Sequence, residues 1–225
     1  MANTETTINE IMHPQPNETH VDIEKTIKAL ERNKFVVHYF ETGAEAVAYL
    51  KNRIQNKCVA IGDSRTLLEI GVHDALSEVN EDITDIQRPL PGESFRDTAL
   101  RTMGRDVFLT SVNALSQTGE MVNIDGTGNR VAASLFGSQE VFFVLGVNKI
   151  TPDLASAIYR ARNVAAPLNS KKNKKSSLNP CATLDEKCYD CGSPDRICNA
   201  LTIYYKKMRN MQTMEIIIIN ESLGF

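Results

Sequence analysis

The amino-acid sequence predicts an α/β fold, with a layered, mostly parallel sheet that carries helices on both faces. Short apolar runs typical of buried strands alternate with segments whose apolar residues recur at helical spacing. Polar, glycine-containing turns follow several of these runs, as is typical at the carboxyl ends of parallel strands. The 225 residues, 42% of them hydrophobic, suffice for one large core. The sequence contains no internal repeat.

The predicted elements follow one another closely along the chain. Residues 1–17 are interpreted as a flexible arm, and a first helix is expected over residues 21–30 with Thr19 as its N-cap. Thr118-Gly119 indicates a hairpin whose antiparallel strands insert into the parallel sheet. Pro152 suits the first turn of a later helix. In chain order, apolar spacing predicts a strand at 35–40, a helix at 46–54, a strand at 59–61, a helix at 65–79, a strand at 83–86, a helix at 94–103, strands at 106–112 and 121–124, a helix at 129–136, a strand at 141–145 and a helix at 152–162.

The composition changes after Asn169, first to Lys, Asn and Ser and then to closely spaced cysteines. We interpret residues 170–198 as a surface excursion from the domain. The apolar runs at 201–205 and 214–219 are expected to return to the main sheet as strands. The prediction is therefore one domain over residues 18–225.

The turn after the strand at 121–124 is the strongest indication of a ligand site, although strand-to-helix turns also use glycine for shape alone. Gly126 and Gly128 can adopt positive φ and leave backbone N–H groups uncovered beside a helix start, which favours an anionic guest. Asp125 is either a functional acid or a cap that bonds the N–H groups of this turn. Arg130 either neutralises Asp125 or binds a substrate carboxylate, with Asn129 beside it.

Two other strand ends carry polar groups. Ser64 and Thr66 suit a phosphate or carboxylate, but they are equally ordinary helix caps. Glu69, one turn later, is either a solvated acid or faces the same crevice. Lys149 follows Asn148 at the end of the most apolar strand. Burial there would lower its pKa, so that it could act as a base, a Schiff-base amine or a phosphate ligand. The alternative is a lysine that simply reaches solvent.

Four cysteines lie within 18 residues in the pattern C-x6-C-x2-C-x6-C. The spacing is compatible with a zinc ion or an iron-sulfur cluster, with a redox pair at the central Cys-x-x-Cys, or with unconnected thiols. It lacks the two short Cys-x-x-Cys pairs of a zinc ribbon. The candidate metal ligands are Cys181, Cys188, Cys191 and Cys198.

The formal net charge of -3 provides no long-range attraction for nucleic acid. The lysines in residues 171–175 have no interleaved aromatic residues, which is typical of a solvated loop. No segment reaches the roughly 20 apolar residues that a membrane helix needs, and residues 1–17 are too polar for a secretory signal. We therefore expect a cytoplasmic protein without membrane insertion, while the oligomeric state stays open and a homo-oligomer is compatible with the sequence.

Several motifs, all in one order, resemble the LUD domain of lactate-utilisation proteins, and within it the lactate utilisation protein C group. The resemblance includes Gly-Asp-Ser-Arg-Thr at 62–66 and Asp-Gly-Thr-Gly-Asn-Arg at 125–130. Asp63 stands where related sequences commonly carry a second glycine, and its charge would repel an anionic ligand. The matching stretches are 62–71, 106–111, 113–114, 119–120, 122–133, 146–150, 162–167, 191–198 and 223–225.

The resemblance implies the fold of ribose-5-phosphate isomerase, CoA-transferases and formyltetrahydrofolate cyclo-ligase. It also implies an accessory subunit of an L-lactate-oxidising system that works beside iron-sulfur partner proteins, and it adds Arg162 and Asn163 as candidates. The leading hypothesis is such an oxidoreductase subunit that binds a small anionic or phosphorylated ligand at the strand ends. Alternatives are a stand-alone isomerase, acyl-transferase or ligase-type enzyme, or a cysteine-based metal or redox sensor. The candidate catalytic residues are Asp125, Glu69 and Lys149, and the candidate ligand-binding residues are Ser64, Thr66, Asn113, Gly126, Gly128, Asn129, Arg130, Asn148, Arg162 and Asn163.

Overall fold

Six parallel strands form the central sheet of the computed structural model, which describes residues 21–172, 178–185 and 187–225. The expected arm, the Thr19 cap, and Lys174 and Lys175 lie outside the described residues. The sheet order is β1-β10-β7-β4-β2-β3, and every neighbouring pair is parallel. The six strands are β1 (Val36–Phe40), β2 (Cys58–Ile61), β3 (Asp82–Asp85), β4 (Val107–Thr110), β7 (Glu140–Gly146) and β10 (Thr213–Ile219).

A second sheet of four short strands packs on one face of the central sheet. Its order is β8-β5-β6-β9, with β6 antiparallel to both β5 and β9. The Phe143 ring of β7 meets the Tyr204 ring of β9 edge-on, with 5.3 Å between ring centroids. The four strands are β5 (Ala114–Ser116), β6 (Met121–Asp125), β8 (Ile150–Thr151) and β9 (Ala200–Tyr204).

The helices begin at polar caps that the sequence supplies. Asp22 caps α1 by accepting from Lys25 N at 3.0 Å, and Thr42 and Glu45 form a capping box at the start of α2. The α-helices are α1 (Ile23–Arg32), α2 (Gly43–Arg53), α3 (Arg65–Glu69), α4 (Val72–Ser77), α5 (Phe95–Arg101), α6 (Asn129–Leu135), α7 (Leu154–Arg160), α8 (Ala166–Lys172) and α9 (Pro180–Thr183), with a 3-10 turn at Val147–Lys149 and a π-helix at Ala161–Ala165.

The core lies on both faces of β7, all of whose residues are buried. Alternate side chains point to opposite faces, because successive residues of a strand alternate in direction. Phe143 packs in the cluster that α1 and the second sheet cover, whereas Phe142 packs in the cluster beneath α2, α3 and α4. The layered α/β prediction is therefore confirmed.

The prediction that the hairpin inserts into the main sheet is wrong, as is the prediction that both C-terminal runs return to it. After β4 the chain leaves the central sheet. Two asparagine side chains then link the strands of the hairpin, because Asn113 Oδ1 accepts from Ile124 N at 2.8 Å and Asn123 Oδ1 accepts from Asn113 N at 3.0 Å. These bonds hold the hairpin as the centre of the second sheet. The run at 201–205 pairs with it as β9, and β10 alone enters the central sheet, between β1 and β7.

Two predicted helices have different bounds. The helix expected at 65–79 is broken at Gly71, which adopts a φ of 72°. The helix expected at 152–162 starts at Leu154 behind an Asp153 cap, so Pro152 precedes it. It does not end at 162, because the backbone continues through the π-helix into α8 as far as Lys172. No helix in the described ranges is both long and apolar enough to cross a membrane.

Candidate functional site

The carboxyl ends of β2, β4 and β7 in the central sheet, together with that of β6 in the second sheet, surround a cleft with a volume of about 810 Å³. Because parallel strands end at the same edge of a sheet, turns that are far apart in the sequence meet there. The other sides are closed by segments of residues 170–199, called the cysteine region below, and by the C-terminal residue Phe225. The predicted residues that line the cleft are Ser64, Asn113, Asp125, Gly126, Asn129, Arg130 and Lys149.

Lys149 is the buried cation of this cleft, with 3% of its surface exposed. Its Nζ donates to Thr66 Oγ1 at 2.9 Å and to Ser111 Oγ at 3.0 Å. Burial lowers the pKa of Lys149 to about 7, and the positive charges of Arg160 and Arg130 act in the same direction. Within the described residues no carboxylate lies at ion-pair distance from Nζ. An amine in this environment is poised between its charged and neutral forms at neutral pH.

Two hydroxyls behind Lys149 belong to different strand ends. Thr66 is fully buried at the start of α3 and does not line the cleft itself. Ser111, directly after β4, donates to Thr66 Oγ1 at 3.4 Å and lines the cleft. Ser111 was not predicted as a site residue, because a serine after an apolar strand is also an ordinary turn residue. Ser64 caps α3 by accepting from Leu67 N at 3.3 Å.

The glycine turn is held by the Asp125 carboxylate. One oxygen accepts from Thr127 N at 3.3 Å and Gly128 N at 3.2 Å, and the other accepts from Val131 N at 3.2 Å. Gly128 adopts a φ of 83° at the start of α6. Asp125 thus makes the contacts of a turn cap, the alternative that its sequence position left open.

Arg130 lies across the floor of the cleft. Its Nη2 donates to Ile124 O at 2.6 Å and to Asn113 Oδ1 at 3.1 Å, while Nε lies 3.7 Å from Asp125 Oδ2. Nη1 makes no hydrogen bond to the described residues. Asn129 lines the mouth, and its Oδ1 accepts from Thr127 Oγ1. The guanidinium is therefore fixed in place while one edge stays available.

Arg160 is a second, partly buried guanidinium, for which the sequence indicated only an interaction with the helix dipole. It reaches from the end of α7 to donate to Asn148 O at 3.0 Å and to Asn113 O. Burial lowers its pKa to about 10, and within the described residues it has no carboxylate partner. Its contacts position two turns of the cleft and add positive charge near Lys149.

Residues 223–225 close the cleft beside Lys149. Asn148 Oδ1 accepts from Leu223 N at 3.1 Å, and Glu69 Oε2 accepts from Gly224 N at 2.7 Å. Burial acts to raise the pKa of Glu69, but the bonds from Gly224 and Arg65 outweigh it and the pKa is lowered. Glu69 and Asn148 anchor this segment and do not line the cleft.

One wall of the cleft comes from the cysteine region. Asn199 donates from Nδ2 to Gly126 O at 2.9 Å and from its backbone to Asp125 O at 3.0 Å. A Cβ on Gly126 would lie 3.0 Å from Ile197 O, so any other residue would push this wall back by a few tenths of an ångström. Arg196 also lines the cleft while it donates to Cys191 O at 2.7 Å and Cys198 O at 3.1 Å. The excursion is therefore part of the site.

The predicted residues Arg162 and Asn163 lie in the π-helix, outside the main cleft. Arg162 Nη2 donates to Asp190 Oδ1 at 3.1 Å and approaches Cys188 Sγ at 3.7 Å, and Asn163 Oδ1 accepts from Cys188 N at 3.3 Å. They hold the cysteine region beside a separate small cavity of about 110 Å³.

The cysteines are all free thiols. Burial raises the pKa of Cys198, with smaller contributions from Cys188 and Cys191 in the same direction and an opposing one from Arg196. Among the described residues no group of three or more His, Cys, Asp or Glu side chains is placed to hold a metal ion. A zinc ion or iron-sulfur cluster at Cys181, Cys188, Cys191 and Cys198 therefore stays a prediction.

Comparison with protein families identifies the chain. The model of the LUD domain matches residues 23–219, which include both sheets and all the turns of the cleft. The chain belongs to the LUD domain family. This family is associated with lactate utilisation.

A solved structure shows the same fold as this LUD domain. It is a crystal structure of a DUF162 family protein from Deinococcus radiodurans, with a TM-score of 0.51 and 11% sequence identity. The similarity covers 87% of this chain and 94% of that chain. A search of curated proteins finds no match.

Proposed function

We propose that this LUD protein is an accessory subunit of an iron-sulfur L-lactate-oxidising system and binds a small anionic ligand in the cleft. The observation that carries the proposal is Lys149, a buried amine with only neutral hydroxyls as partners among the described residues. A buried cation without an opposite charge is costly, and such groups concentrate at functional sites. An anion in the cleft would supply the missing charge.

The charges around the cleft support an anionic ligand. Lys149, Arg130 and Arg160 contribute three cationic groups, and Asp125 is the one carboxylate that a salt bridge links to them within the described residues. Arg196 adds a further cation at the wall. Asp63, Glu69 and Asp195 lie nearby, but Asp63 accepts from Gln87 at 2.8 Å and Glu69 is bonded to Arg65 at 2.8 Å. A carboxylate or phosphate matches the inner end of the cleft.

The volume of the cleft bears on the size of the ligand. About 810 Å³ lies in the range of roughly 300–1,000 Å³ that is typical of sites for drug-sized ligands. A three-carbon acid would occupy only the inner end near Lys149. The outer part, which Leu68, Phe95 and Phe225 line, leaves room for the rest of a phosphorylated ligand or for a second ligand.

Isothermal titration tests this proposal with lactate, pyruvate, a nucleotide and an acyl-CoA as separate ligands. We expect wild-type protein to bind at least one of them and the Lys149→Met variant to lose that binding. Lys28→Met is the matched control, because Lys28 is exposed and pairs only with Glu24 at 3.6 Å in the described structure. Failure of folded wild-type protein to bind any of the four ligands would contradict the proposal.

The accessory role requires protein partners as well as a ligand. We propose that iron-sulfur proteins of the lactate-oxidising system bind this chain in the cytoplasm. Co-purification of the tagged full-length chain from cells grown on lactate, followed by iron and sulfide analysis, tests this part. Recovery of the chain without any iron-sulfur protein under those conditions would count against it.

A stand-alone isomerase, acyl-transferase or ligase with Asp125 and Glu69 as acid and base is the alternative. Both carboxylates accept hydrogen bonds from the backbone, which supports positioning roles for them. Turnover by the isolated chain that Asp125→Asn abolishes at an unchanged melting temperature would favour the alternative. If Asp125→Asn lowers turnover and the melting temperature together, Asp125 acts as the cap of the glycine turn and not as a catalytic acid.

A further inference from the structure

We propose that the Lys149 amine forms an imine with the carbonyl carbon of a 2-oxo acid bound in the cleft. The inference deepens the proposed function, because it rests on the binding of a small carboxylate there and names its class. The imine depends on the nucleophilicity of the Lys149 amine, in addition to the charge of the cleft. Lys149 is a primary amine that lines the cleft, yet its partners in the described structure are hydroxyls and no carboxylate.

The neighbours of Nζ fix the direction of the amine. Thr66 Oγ1 and Ser111 Oγ lie 2.9 Å and 3.0 Å from Nζ and come from two separate strand ends. Ser111 Oγ is also 3.4 Å from Thr66 Oγ1, so the three polar atoms form a closed triangle at the inner end of the cleft. A lysine held in this way loses little further freedom when it reacts.

The environment also makes the neutral, nucleophilic form available. Burial and two nearby guanidinium groups lower the pKa of Lys149 to about 7, so a large fraction of the amine is unprotonated at neutral pH. Both neighbours are arginines, whose guanidinium groups act as fixed cations in proteins. The Glu69 carboxylate acts in the opposite direction but only as the smallest contribution, whereas a carboxylate in direct contact would have kept the amine protonated.

In a 2-oxo acid the carboxylate is bonded directly to the reacting carbonyl carbon. The protein group that binds this carboxylate must therefore lie close to Nζ. We assign this role to Arg130, because it lines the same cleft as Lys149 and its Nη1 has no hydrogen-bond partner among the described residues. Asn113 Oδ1 and Ile124 O hold the guanidinium in place from its other side. This arrangement matches a carbonyl next to a carboxylate better than it matches an isolated ketone.

The reaction needs no oxidant and balances with water. The lone pair of Nζ attacks the carbonyl carbon, and the carbonyl π electrons move to oxygen, which takes up a proton as the nitrogen loses one. The resulting carbinolamine expels its hydroxyl group, protonated as water, while the nitrogen lone pair forms the C=N bond. Ser111, which lines the cleft and bonds Nζ, is placed to pass the protons between nitrogen and oxygen, and Thr66 supports it from behind.

Reductive trapping tests the proposal. Full-length protein is incubated with pyruvate and sodium cyanoborohydride, and the products are analysed by intact mass and peptide mapping. We expect one adduct per chain, located on Lys149, with a yield that rises between pH 6 and pH 8. Lactate, which has no carbonyl, should leave no adduct.

The controls separate this inference from the proposed function. Lys149→Arg should abolish trapping, whereas Lys28→Arg, the same exchange at an exposed lysine, should leave it unchanged. Pyruvate binding by titration without any adduct, or an adduct on another lysine, would overturn the imine and leave the proposed function standing. Absence of both pyruvate binding and trapping would overturn the imine, and the proposed function would fail with it only if lactate, the nucleotide and the acyl-CoA also do not bind. Binding of inorganic phosphate in place of pyruvate would assign Lys149 to a phosphate ligand and also overturn the imine.

Discussion

Buried charges lie at both ends of the central sheet, but they are satisfied in different ways. Near the amino ends of β7 and β10, Arg53 bonds both Glu140 and Glu215, and Lys57 lies 3.6 Å from Glu140. At the carboxyl ends, Lys149 meets only two hydroxyls in the described structure. The first region is an electrostatically complete network, whereas in the second the Lys149 amine has no anion at ion-pair distance among the described residues.

Further contacts complete the amino-end network. The Tyr49 hydroxyl donates to Glu215 Oε2 at 2.7 Å and lies 2.8 Å from His38 Nε2. Burial and the Glu215 carboxylate raise the pKa of Tyr49, so its hydroxyl stays a donor. The Arg53 guanidinium also lies over the Phe142 ring, 5.6 Å from its centroid. A buried group with such partners is expected to contribute to the fold, while one without an opposite charge indicates a ligand site.

The largest expected effect comes from breaking the complete network. Arg53→Met leaves two buried carboxylates without their main partner, so we expect a loss of about 3 kcal/mol in the free energy of unfolding, as is typical when one member of a buried pair is removed. Urea denaturation at pH 7 measures it, and ligand binding in the cleft should stay unchanged. A loss below about 1 kcal/mol would show that the network does not stabilise the fold.

The opposite change is expected in the cleft. Lys149→Met removes a cation that burial disfavours, so we expect a gain of about 1–2 kcal/mol in the free energy of unfolding at pH 6. The same denaturation experiment measures it, with Lys28→Met as the exposed control. A marked loss of stability in Lys149→Met would mean that the amine stabilises the folded protein.

The dependence of stability on pH sharpens the contrast. The pKa of Lys149 is about 7 in the folded protein, compared with 10.5 for an ordinary lysine, so the unfolded chain binds more protons between these values. Stability therefore rises with pH in this window, by at most about 1.4 kcal/mol per pH unit from this group. The difference in unfolding free energy between wild type and Lys149→Met, measured from pH 6 to pH 10, should shrink or reverse accordingly. A difference that does not vary with pH would refute the assignment.

The smallest effect concerns the wall that the cysteine region provides. Gly126→Ala pushes this wall away at Ile197, so we expect ligand affinity to fall about fivefold, equivalent to about 1 kcal/mol. Gly192→Ala is the matched control, because a Cβ there meets nothing within 4 Å. Titration of both variants gives the comparison. Equal affinities would show that the wall does not contact the ligand.

Local sequence patterns predicted much of the fold and part of the site. Apolar spacing placed most strands and helices, since β7 is apolar throughout and α2 repeats at helical spacing. The glycine turn at 125–130 was predicted because tight turns leave a local signal. The second sheet was not predicted, because the pairing of β6 with β9 joins residues about 80 positions apart and depends on tertiary packing.

The features of the site that the sequence did not predict depend on burial, which a single sequence does not show. Arg160 was read as a helix-end charge, and only the fold places its guanidinium beneath Asn113 and Asn148. Lys149 was a candidate among several, and only the meeting of distant strand ends shows that no carboxylate in the described part of the chain contacts it. Arg162 was a ligand-binding candidate from the family resemblance, and its side chain points to the cysteine region outside the main cleft.

The central claim is that Lys149, which no carboxylate among the described residues contacts, marks an anion site, and titration of pyruvate into wild type and Lys149→Met tests it most directly. We expect saturable binding by wild type at neutral pH and at least a tenfold weaker affinity in the variant, with both proteins folded. Equal affinities in the two proteins would contradict it.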